Sequence, residues 1–80
     1  MENENYLSIN DLCLATTISL SFPLMTTHRV DGKVFFNFKK SSELEQFLSQ
    51  YWSDQISTEP KRFFQQIKLL KNYIYGGGND

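Results

Sequence analysis

The period of hydrophobic positions along the chain changes twice, from helical to alternating and back, and sets off four elements. Ser8-Ile9-Asn10-Asp11 reads as a capping box, with Ser8 as N-cap and Asp11 three residues on. Leu7 and Leu12 flank it as a hydrophobic staple, and Asp11 suits the positive end of a helix dipole. The first helix is expected to bury Ile9, Leu12, Cys13 and Ala15 or Thr16, with Leu14 and Ile18 on its flank. It weakens at the β-branched run Thr16-Thr17-Ile18, and Pro23 ends it, with Phe22 pushed toward an extended conformation.

The period then falls to two. Asp31-Gly32 supplies the positive φ that a type I′ hairpin turn needs at both central positions. The turn pairs Val30 with Lys33, Arg29 with Val34, His28 with Phe35, Thr27 with Phe36, and Met25 with Phe38. On that register Met25, Thr27, Val34, Phe36 and Phe38 form the core side. Leu24, Thr26, His28, Phe35 and Asn37 form the other side.

Helical spacing returns after Ser42, which with Glu45 fits a second capping box. Leu44, Phe47, Leu48, Tyr51 and Trp52 make an apolar stripe opposite Glu43, Glu45, Gln46, Ser49 and Gln50. A last helix starts near Ser57 or Thr58, tolerates Pro60 in its first turn, and buries Phe63, Ile67, Leu70 and Ile74. The order is α-β-β-α-α: an α+β domain whose two-stranded antiparallel hairpin packs against helices. Residues 7–75 form this one domain, between a flexible N-terminus (1–6) and a flexible Gly-rich tail (76–80).

Composition narrows the function classes. Eighty residues leave room for one core, built on seven Phe, four Tyr and one Trp, and none for a multidomain enzyme or a large cofactor fold. The net charge of −1 gives no global attraction to nucleic acid or anionic lipid. The charge is unevenly spread, however. Residues 1–27 hold three acids and no Lys or Arg, whereas Lys61, Arg62, Lys68 and Lys71 sit in a stretch with no acid. A single cysteine excludes an internal disulfide and a thiolate metal cluster, which points to a reducing cytoplasm. The N-terminus lacks a basic n-region, and residues 12–25 are too short and too polar to span a bilayer.

The catalytic inventory is thin. His28 and Cys13 fall on different elements with no third group to orient a dyad, Glu43 and Glu45 do not face each other on a helix, and no Gly-rich loop opens a helix. Cys13 is expected as a small buried hydrophobe. No catalytic residue, metal site or cofactor is therefore expected. Two surface signals remain. Phe35 lies on the wet side of the hairpin with Leu24, Thr26 and His28, which makes those four a candidate contact surface for a protein partner or a second copy of the chain. Arg29, Lys33, Lys61, Arg62, Lys68 and Lys71 form an alternative, a basic helix face and hairpin tip for nucleic acid.

Asp11-Leu12-Cys13-Leu14-Ala15, Phe36-Asn37-Phe38, Pro60 and Leu70-Lys71 resemble the pieces of a family of small uncharacterised bacterial and phage domains, a domain of unknown function. The resemblance runs from about Leu7 to Tyr75 and departs at Ser21-Phe22-Pro23, where the family often has a Gly after the first helix. It implies the same helix-hairpin-helix-helix layout, a phage or mobile-element setting, and no assigned activity. The resulting expectation is a cytoplasmic, non-enzymatic interaction module.

Overall fold

A computed structural model describes residues 5–76 of the chain. Its elements are β1 (Tyr6–Ile9), α1 (Leu12–Ser19), β2 (Leu24–Val30), β3 (Lys33–Lys39), α2 (Ser42–Trp52) and α3 (Pro60–Lys71). The last helix runs on into a π-helical turn, Asn72–Gly76. The α+β class and the succession of helix, hairpin and two helices are as the pattern predicts. Of the expected tails, 1–6 and 76–80, residues 1–4 and 77–80 lie outside the described residues, while Gly76 closes the π-helical turn.

One element is new, and it corrects the two-stranded sheet. Tyr6-Leu7-Ser8-Ile9 is a strand, and the sheet has three antiparallel strands in the order β1-β3-β2. Tyr6, assigned above to the tail, begins it. Leu7 pairs with Phe38 and Ile9 with Phe36, so both aliphatic side chains join the core face with a period of two. The amide of Lys40 extends the ladder to the carbonyl of Asn5 at 2.8 Å. Pairing with β1 makes β3 the central strand and satisfies backbone groups that a helix begun at Ser8 would leave open. The helix cap accordingly moves three residues on. Asp11 is the N-cap, and its carboxylate accepts from the amide of Leu14 at 3.1 Å.

The later start changes what α1 buries. Leu14, Ala15, Thr16, Thr17 and Ile18 are buried between the sheet and α3, whereas Cys13 is exposed, against the expectation of a buried thiol. The threonine hydroxyls go inside because each donates back along the helix, Thr16 Oγ1 to Leu12 O at 2.7 Å and Thr17 Oγ1 to Cys13 O at 2.9 Å.

The hairpin turns at Asp31 and Gly32 with φ of 51° and 80°, as a type I′ turn requires. Its first four pairs follow the predicted register. Then a bulge intervenes: Thr26 faces Asn37 and Leu24 faces Phe38, which leaves Met25 as the extra residue. Two expectations reverse together. Leu24 packs against the core from the helix side, while Met25 is exposed.

Adjacent serines also trade roles. Ser41, rather than Ser42, caps α2 by accepting from the Leu44 amide at 3.0 Å. Glu59 caps α3 through Arg62 N at 2.9 Å, with Pro60 next in line. The helices bring Leu14, Ile18, Leu44 and Leu70 onto Val34, Phe36 and Phe38, and these residues form one buried core. Phe22 meets Phe47 edge to face at 5.4 Å, and Tyr73 of the π-turn meets Phe36 at 6.2 Å.

Candidate functional site

The helices cover only one side of the sheet. Phe35, Asn37 and Lys39 of β3 alternate with the buried Val34, Phe36 and Phe38, so they point to the other side. Cross-strand pairing sets His28 directly opposite Phe35, and the two rings stack at 5.2 Å with 8° between their planes. Val30 opposite Lys33 and Tyr6 opposite Lys39 extend this outer face toward both edges.

Asn37 organises its middle. Its Oδ1 accepts from Ser8 Oγ at 2.6 Å, and its Nδ2 donates to Thr26 Oγ1 and to His28 Nδ1, both at 3.0 Å. One side chain thus ties all three strands, and it is itself only 8% exposed. The His28 ring is thus held on two sides, by the Asn37 amide at Nδ1 and by Phe35.

Three of the four residues expected at a contact surface, Thr26, His28 and Phe35, therefore meet on the outer face. Leu24 does not, because the bulge turns it to the helix side, where it lines a hollow of about 280 Å³ with Gln66, Leu69, Leu70 and Tyr73. Ser8 joins the face unannounced. The signal that could have found it is the short alternation Tyr6-Leu7-Ser8-Ile9, which fits a strand as well as the start of a helix.

The basic residues are not brought together. Lys33 lies on the outer face, while Lys61, Arg62, Lys68 and Lys71 are exposed on α3, in the opposite layer. Arg29 turns toward the helices. Its Nη2 donates to the carbonyls of Ile74 at 3.1 Å and Tyr73 at 3.4 Å, which pins the π-turn to the sheet. Lys68 sits 5.5 Å above the ring of Phe64.

A second region of chemical interest lies where α1 meets the end of α2. Tyr51 donates to Cys13 Sγ at 3.7 Å, and Trp52, expected in the apolar stripe of α2, is 68% exposed. The bond to Cys13, together with burial and the negative charge of Asp11 and Asp54, holds the Tyr51 hydroxyl proton and pushes its pKa up to about 12. Among the described residues no three His, Cys, Asp or Glu side chains group as a metal ion would need, and no helix is long and apolar enough to cross a membrane.

These features define a small α+β domain with a three-stranded antiparallel sheet, helices on one face and an aromatic-bearing face that no helix of the described residues covers on the other. The chain belongs to the family described as Domain of unknown function (DUF5659), whose model matches residues 4–76. No curated protein and no solved structure matches it.

Proposed function

We propose that this domain is a non-enzymatic protein-interaction module that binds its partner, a different protein or a second copy of the chain, across the outer face of the sheet. The observation that carries this reading is the Phe35–His28 stack, a flat aromatic pair on a face with no helical layer among the described residues, bordered by the half-exposed Val30. The Asn37 network holds His28, on which Phe35 stacks, before any partner arrives, which lowers the ordering cost of association. The same reading places the domain in a reducing compartment such as the cytoplasm, where a lone exposed thiol stays free.

The test is retention of a partner from a host lysate by the tagged full chain, at low and high salt and with nuclease, together with its sedimentation behaviour alone. A protein, or a second copy, held by the wild type at high salt and released by Phe35→Asp supports the reading. Retention unchanged in a folded Phe35→Asp variant sinks it.

A second reading, nucleic-acid contact, draws on one specific observation: α3 exposes Lys61, Arg62, Lys68 and Lys71 with no acid among them. Binding of that kind weakens steeply with salt, with a logarithmic slope of about −0.9 per phosphate neutralised on duplex DNA. It would also be abolished by Lys68→Glu and untouched by Phe35→Asp.

A further inference from the structure

The two long helices end differently. The last turn of α3 carries Lys68 and Lys71, which complement the negative end of its dipole. The last turn of α2 carries no basic residue. Instead α2 closes in a Schellman motif, in which Gln55 N donates to Gln50 O at 2.8 Å and Asp54 N to Tyr51 O at 3.1 Å. The left-handed position of that motif, with φ of 60°, is held by Asp54, where glycine would be the unstrained choice. A carboxylate is thereby added to a helix terminus that already favours positive charge.

Beside it opens a hollow of about 460 Å³, whose walls include Cys13, Tyr51, Trp52, Asp54, Ile56 and Phe63. Among the described residues no lysine or arginine lines it. Trp52 stands edge to face against Tyr51 at 5.1 Å and is otherwise largely in solvent, so its indole is presented rather than packed. An aromatic surface, a carboxylate and a helix C-terminus around one unfilled space share a single preference, a cation with a flat body.

We propose that this hollow receives an arginine side chain of a protein partner, its guanidinium stacked on Trp52 and hydrogen-bonded to the carboxylate of Asp54. Arginine fits better than lysine because a planar fork can lie on an indole and still address both carboxylate oxygens. The bearer being a protein rests on the interaction-module reading. The hollow involves no residue of the outer sheet face, so arginine binding here and partner binding there are tested by different variants.

Trp52 is the only tryptophan in the chain, so its emission reports this site alone. The full-length protein is titrated with N-acetyl-arginine methylamide, with the neutral isostere N-acetyl-citrulline methylamide, and with spermidine. The expected result is a saturable change in Trp52 emission for the arginine derivative, at least about fivefold weaker for citrulline and for Asp54→Asn. Asparagine tolerates the left-handed backbone, so that variant keeps the fold. Trp52→Leu, followed by the amide shifts of Thr17 and Ile56, should lose the same binding. Equal titration by citrulline, tighter binding of spermidine than of the arginine derivative, an unaffected Asp54→Asn, or no saturation overturns the assignment. Release of a partner by Phe35→Asp with Trp52 silent to arginine would sink this proposal and leave the outer face standing.

Discussion

Strand β3 serves two environments from alternate residues. Toward the helices it presents Val34, Phe36 and Phe38, all buried, against leucines, an isoleucine and an aromatic of the π-turn. Away from them it presents Phe35 and Asn37, the first half-buried and stacked on one histidine, the second held by three polar neighbours on the other two strands. The inner face of β3 is held mainly by volume, with the Arg29 bonds to the π-turn a directional tie beside it. The outer face is held by direction, through hydrogen bonds of defined donor and acceptor. A surface of the first kind resists any loss of bulk. One of the second kind keeps its shape with little buried area, which leaves its apolar members available to something else.

The largest effect belongs to the inner face. Phe36 is fully buried among the core residues. Phe36→Ala should cost about 3–5 kcal/mol, because the hole it leaves is ringed by packed elements that cannot collapse into it. For a domain of this size that is a large share of the total stability, and urea denaturation should show the midpoint falling close to water. A loss below about 1 kcal/mol would mean that the two faces do not differ as described.

Asn37 comes next. Asn37→Ala deletes the amide shared by Ser8, Thr26 and His28. The exposed hydroxyls and imidazole can turn to water, so the loss should be about 1–2 kcal/mol rather than the full penalty of a buried unmet group. The measurable signature is local. Amide hydrogen exchange in β1 should accelerate more than in the core of β3, because Ser8–Asn37 is the side-chain tie between those strands. Uniform acceleration would point to a global role for Asn37.

Most of the inner face was legible in the sequence, and the reason is physical. Phe36, Phe38, Leu44 and Leu70 are large and apolar and recur at periods that only one element type accommodates, although of the stripe expected on α3 only Leu70 is buried, Phe63, Ile67 and Ile74 being part-exposed. Asp31-Gly32 then set the hairpin register for four pairs. The outer face was legible only in part. Ser8-Ile9-Asn10-Asp11 satisfies a capping rule locally, and what overrides it is a non-local gain, pairing with residues 36–39, that no short window contains. Losing β1 from the reading lost Ser8, and with it the network that gives Asn37 its place. The bulge at Met25 was hidden for a similar reason: an extra residue in a strand leaves no turn signal, yet it exchanged the faces of Leu24 and Met25. Exposed Trp52 escaped because helical spacing alone cannot tell a stripe's end from its centre.

The smallest effect on stability belongs to the residue with most to say about function. Phe35 is half-buried, and its main directed contact is the stack on His28. Cross-strand pairs of this kind contribute about 0.2–1 kcal/mol, so Phe35→Ala should shift the urea midpoint by no more than that amount. The Asn37 network does not include Phe35, so His28 keeps its bond to the amide and the face keeps its hydrogen bonds. A partner seated on this face loses the ring in full, however, and apolar anchors at the centre of an interface commonly cost more than 1 kcal/mol when truncated. The two measurements should therefore separate: stability nearly unchanged, retention of the partner reduced by at least about fivefold. If stability falls as far as it does in Phe36→Ala, the ring is part of the core and the outer face is not a free surface. If neither quantity moves, the stack is a local packing pair, and a binding role for this domain must rest elsewhere on its surface.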